Sequence, residues 1–96
     1  MDYAELQAAL KVFGLGERAT LREIKARQRE LVKRYHPDSG EASAPQAIQK
    51  VNAAYRVLLD YVQSYSFSFA EEEFYEQCPE ERLRQQFGDD PLWGRK

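Results

Sequence analysis

Ile48, Val51, Tyr55, Leu58 and Val62 recur at intervals of 3, 4, 3 and 4 residues, and this seam constrains the fold more than any other feature. Apolar side chains at that spacing form one narrow stripe on a helix, suited to packing along a second helix. The chain supplies one upstream. Thr20-Leu21-Arg22-Glu23 matches a capping box, in which the Thr20 hydroxyl and the Glu23 carboxylate satisfy free backbone N–H groups at a helix start. From there Leu21, Ile24, Gln28, Leu31 and Tyr35 predict a buried stripe on a helix reaching about Tyr35. Pro37 stops it, because proline pushes His36 out of the helical region and donates no N–H.

A shorter helix is expected from about Asp2 to Phe13, with Tyr3, Leu6, Leu10 and Phe13 on one face. Gly14-Leu15-Gly16 ends it, since glycine tolerates the left-handed backbone that helix ends use. Residues 38–44 read as a polar loop, and Ser43 with Gln46 offers a capping box for the third helix. Two antiparallel helices joined by a short loop, with the first helix across them, bury all three stripes. The expected fold is therefore all-α.

Beyond Val62 the pattern changes. Ser64-Tyr65-Ser66-Phe67-Ser68-Phe69 alternates with period two, which predicts an extended stretch lying across the helices as an aromatic strap. Short helices are expected over Ala70–Gln77 and Pro79–Phe87, then a turn at Gly88-Asp89-Asp90-Pro91, with Leu92 and Trp93 after it. Residues 1–63 thus read as one helical domain and residues 64–96 as an extension packing on it or following it. The aromatic residues of that extension, Phe67, Phe69, Phe74, Tyr75, Phe87 and Trp93 among them, are expected to cover the helical hairpin, because a small domain needs buried area. Two other roles stand beside this one. The extension could adapt the domain to a partner or client, or its acids could fold over the basic helix and tune access to it.

A single Cys78 excludes an internal disulfide framework and a cysteine-based zinc site. The N-terminus lacks the basic start and apolar run of a signal peptide, and no segment is apolar enough to span a bilayer, so a cytoplasmic location is expected. The formal net charge of −2 argues against a general nucleic-acid binder, but it conceals an asymmetry. Residues 21–35 carry Arg22, Lys25, Arg27, Arg29, Lys33 and Arg34 against Glu23 and Glu30. Residues 71–90 carry Glu71, Glu72, Glu73, Glu76, Glu80, Glu81, Asp89 and Asp90 against Arg82 and Arg84. One helix is basic and the tail is acidic.

Within the basic helix, Arg22, Lys25, Arg29 and Lys33 fall on one face, roughly opposite Ile24, Leu31 and Tyr35, with Glu30 to the side. Isolated charges there would be a solvated surface. Four aligned cations leading to His36-Pro37-Asp38 read instead as an electrostatic docking surface. The tripeptide itself is not catalytic chemistry: no nucleophile or acid–base partner stands near it, and one His with one Asp is too few ligands for a metal. It suits recognition. Pro37 stiffens the corner, so the side chains of His36 and Asp38 are presented at little entropic cost, and an ionised Asp38 is the complement of a partner arginine.

Residues 21–60, with Tyr35-His36-Pro37-Asp38 and Asn52-Ala53-Ala54-Tyr55-Arg56-Val57-Leu58, closely resemble the J domain of DnaJ-like proteins. With the first helix included, the resemblance covers about Tyr3 to Tyr61. It implies a monomeric co-chaperone, without enzymatic activity or cofactor of its own, that stimulates ATP hydrolysis by a DnaK-type heat-shock chaperone. By the same resemblance His36, Pro37 and Asp38 would be the trigger, reaching the region where the partner's nucleotide-binding domain meets its interdomain linker. Arg22, Lys25, Arg29 and Lys33 would steer and hold the complex. Gln28, Glu30 and Ser39 depart from residues common in the family, and the usual final helix with its Lys-Arg-x-x-Tyr pattern is not recognisable after Asp60. The Gly/Phe-rich, zinc-binding and client-binding regions of full-length DnaJ proteins are absent from these residues, which makes this a minimal type. Two other functions remain open at this stage. One is a J-like scaffold that assembles partners without activating an ATPase. The other is a helix-turn-helix DNA reader, disfavoured by the acidic balance and by the apolar seam of the third helix.

Overall fold

A computed structural model describes residues 1–36 and 45–87. Among them are five helices and no strand: α1 (Tyr3–Phe13), α2 (Leu21–Tyr35), α3 (Pro45–Gln63), α4 (Glu71–Gln77) and α5 (Pro79–Gln86). The chain is all-α, as its stripes require. It divides into two compact units, Met1–Tyr65 and Ser66–Lys96. No described helix is long and apolar enough to cross a membrane. The loop over residues 38–44, the capping role given to Ser43, and the turn and docking residues after Phe87 lie outside the described residues.

In the first unit α1 and α2 begin and end where local chemistry places them. Asp2 caps α1, its carboxylate accepting from the Glu5 N–H at 2.8 Å. Gly14 closes α1 in the left-handed region at φ 66°, ψ 33°, and the Leu15 N–H returns to the Leu10 carbonyl at 3.0 Å. That pairing satisfies a carbonyl which the helix would otherwise leave open. The capping box of α2 is present: the Glu23 N–H donates to Thr20 Oγ1 at 3.1 Å, and the Thr20 N–H donates to Glu23 Oε1 at 2.7 Å.

The core is formed by Ala9, Phe13, Ile24, Val51, Ala54 and Leu58. Leu6, Leu10, Leu15, Leu31, Val32, Tyr35, Tyr55, Val57 and Val62 pack around it. Of the predicted seam of α3, Val51, Tyr55, Leu58 and Val62 face this core, and α3 is the element on which both α1 and α2 pack. Phe13, only 1% exposed, stacks on Tyr55 with ring centroids 6.2 Å apart and planes within 4°. Two members of the expected stripes are not buried. Tyr3 is 70% exposed and Leu21 is 40% exposed. Each begins its helix, so the periodicity continues through them but the packing partner does not. In their place Ala9 and Ala54 are buried, small side chains that let α1 and α3 approach closely.

In the second unit α4 and α5 run almost where expected, with Pro79 in the first turn of α5. The stretch before them is non-helical. Within it Phe67 is 66% exposed and Phe69 is 91% exposed. An alternating stretch buries one row of side chains only where an apolar face lies against it, and periodicity alone cannot supply that face.

Candidate functional site

The site is built on α2, which presents two faces to different surroundings. Ile24 is its one buried residue, with Gln28, Leu31, Val32 and Tyr35 half-buried around it. At ~100° per residue, Arg22, Lys25, Arg29 and Lys33 occupy an arc of about 80°, centred about 140° from Ile24, Leu31 and Tyr35. All four cations are exposed. None of them enters an ion pair or hydrogen bond among the described residues.

The two acids of α2 are both engaged elsewhere. Glu23 is held by the N-terminal cap. Glu30 pairs with Arg27 at 3.2 Å, beside the arc of the four cations rather than within it. The sequence had left Arg27 outside the ridge and Glu30 to its side, and what it missed is that the two pair with each other. The i, i+3 spacing of the two residues was the available signal. Arg27 also reaches over the end of α1, where its Nη2 would lie 3.8 Å from a Cβ placed on Gly14.

The ridge runs to the C-terminal end of α2, where cations also suit the negative end of the helix dipole. His36 caps that end with extended backbone, φ −66° and ψ 141°, the conformation a following proline favours. His36 is exposed. Pro37 and Asp38, the rest of the expected corner, lie outside the described residues. Of the seven residues singled out in the sequence, five are therefore placed: the four cations on one exposed arc, and His36 at its end. Among the described residues no group of three His, Cys, Asp or Glu side chains could hold a metal.

Part of the Asn52–Leu58 pattern has a structural job. Ala54 and Leu58 are buried and Tyr55 carries the stack with Phe13, so these residues set the packing that positions α2.

A capped basic helix is thus held against an apolar helical seam, with an exposed imidazole at its end. The family model of the DnaJ domain matches residues 9–66, more than half of the chain, and the chain belongs to the DnaJ domain family. Among curated relatives, a chaperone protein DnaJ of Finegoldia magna is 42% identical over 52 residues, covering 52% of this chain and 14% of the relative. A chaperone protein DnaJ of Mesoplasma florum is 43% identical over 51 residues, again 52% and 14%. A protein of Coxiella burnetii named curved DNA-binding protein is 42% identical over 57 residues, 58% of this chain and 18% of the relative. The chain spans less than a fifth of the length of these relatives. No solved structure matches it.

Proposed function

We propose that this chain is a co-chaperone that binds a DnaK-type heat-shock chaperone through α2 and the His36-Pro37-Asp38 corner and stimulates its ATP hydrolysis. The observation that carries the proposal is the arc of four exposed cations, unopposed by either acid of their helix, ending at an exposed His36 that leads into Pro37 and Asp38. The names of the DnaJ relatives support the partner class. Long-range attraction between the arc and an acidic partner surface would orient the encounter. The proline-stiffened corner would then offer an imidazole and a carboxylate to the partner's interdomain region, where Asp38 has an arginine as its complement. ATP and magnesium belong to the partner in this scheme, and no covalent step takes place on this chain.

The test is single-turnover ATP hydrolysis by a DnaK-type chaperone with and without the protein. Stimulation is expected, with its loss in Asp38→Asn and in His36→Gln while the circular dichroism of both variants stays native. Full stimulation by both variants refutes the mechanism. Binding to the chaperone without any stimulation would favour the scaffold reading. The Coxiella relative's name raises a DNA-binding reading, which the same preparations address: binding of duplex DNA that falls steeply with salt would support it.

A further inference from the structure

A depression borders the cation ridge of α2. Ala26 stands four residues after Arg22 and three before Arg29, so it is the surface neighbour of both. It also lines an open depression of about 380 Å³ between one flank of α2 and the connection from α1. Glu23, Arg27 and Glu30 contribute to the wall from the helix, and Gly16 and Arg18 from the connection. Gly16 keeps its side clear, for a Cβ placed on it would meet nothing within 4 Å.

Of the charges around this wall, three are already engaged. Glu23 Oε1 accepts from the Thr20 N–H at 2.7 Å, at the positive end of the α2 dipole. Glu30 and Arg27 meet each other at 3.2 Å. Arg18 is different: it is exposed and enters no hydrogen bond or ion pair among the described residues. Glu17, beside it in the chain, does not line the depression. What the wall lacks is therefore an anion. The ridge from Arg22 to Lys33 is only about 17 Å long, and one row of side chains does not fill the roughly 800 Å² that a partner of ordinary size covers. An acidic surface seated on the ridge extends over a flank of it, and the flank at Ala26 offers a further unpaired cation.

We propose that Arg18 is a fifth cation of the docking surface, and that the depression it lines with Ala26 receives an aspartate or glutamate side chain of the partner. The proposal rests on the reading of α2 as the chaperone-binding helix and adds to it a contact outside that helix. The Arg18 guanidinium offers a carboxylate two parallel N–H donors. Arg27, whose charge Glu30 already meets, stays out of the contact.

Binding of the full chain to a DnaK-type chaperone is titrated at low and at high salt, with circular dichroism verifying that each variant keeps its helices. At low salt Arg18→Gln is expected to lower the affinity about threefold, the effect that one exposed charge pair supports, and Arg18→Glu about tenfold. Both losses should shrink as salt rises. Arg18→Lys should restore the salt dependence but only part of the affinity, since an ammonium lacks the fork of donors. Arg56→Gln removes the same charge from an exposed position of α3, on the side away from Val51, Ala54 and Leu58, and should leave binding unchanged. Arg29→Gln tests the reading of α2 itself. A loss in Arg29→Gln with none in Arg18→Gln overturns this proposal and leaves that reading standing. No loss in either, or no binding by the wild type, overturns both. Equal losses in Arg18→Gln and Arg56→Gln overturn the proposal too, because net charge would then suffice.

Discussion

Phe13 and Thr20 stand at neighbouring helix ends and contribute to stability in different ways. Phe13 is almost wholly buried and stacked on Tyr55, so Phe13→Ala removes both transfer free energy and packing, at a cost of about 3–5 kcal/mol. That is a large part of what holds a small domain together. Thr20 is exposed, and its hydroxyl accepts one backbone N–H; Thr20→Ala should cost about 1 kcal/mol, with Thr20→Ser restoring most of it. Urea denaturation followed by circular dichroism separates the two, and equal costs would contradict the core described above. At this scale the sequence was legible for large side chains and less so for small ones. Phe13, Ile24, Val51 and Leu58 announce themselves by periodicity. Ala9 and Ala54 do not, because an alanine is common on every helix face and only a close neighbour turns it into core. Tyr3 and Leu21 err in the opposite sense, since a periodic pattern carries no mark for where the neighbouring helix ends.

Among the elements, α2 was the most legible, because chemistry punctuates both its ends: a capping box before it and a proline just after His36. Its ridge leads to a prediction about rate. Changing Arg22, Lys25, Arg29 and Lys33 together to glutamine should leave stability nearly unchanged, since all four are exposed and none has a partner among the described residues. Association with a DnaK-type chaperone should slow, and the dependence of that rate on salt should flatten, so that variant and wild type converge at high ionic strength. Arg27→Gln is the control: its charge is engaged by Glu30, and it should slow association far less than any ridge substitution. Stopped-flow measurements over a range of salt concentrations decide this. An Arg27→Gln defect as large as that of Arg29→Gln would mean that net charge, not the arc, matters. Spacing delimited the ridge, whereas the pairing of Arg27 with Glu30 was not legible from composition. Six cations were visible in the sequence of this helix, but which of them remain available depends on side-chain partners.

For the whole molecule, every fully buried side chain among the described residues falls between Ala9 and Leu58. A chain ending at Tyr65 should accordingly keep its helices and still unfold in one cooperative thermal transition followed at 222 nm, a wavelength at which helical backbone dominates circular dichroism. Loss of that transition would mean that residues 66–96 complete the fold, the role that the aromatic content of the extension first suggested. Sequence could not settle that role because aromatic density says that area is available for burial without saying against what. The helices themselves, in contrast, are local products of caps, glycine, proline and spacing, and they were readable one by one.

The distribution of burial along α1, α2 and α3 has a consequence for how a partner is received. α1 contributes two buried residues and α3 three, whereas α2 contributes Ile24 alone. The rod that carries the positive charges is thus the most loosely seated of the three. Phe13 and Tyr55 join the other two through their ring stack. In the proposed function α2 is the element that meets the partner, so an adjustment of its pose would fall on the smallest share of the buried core.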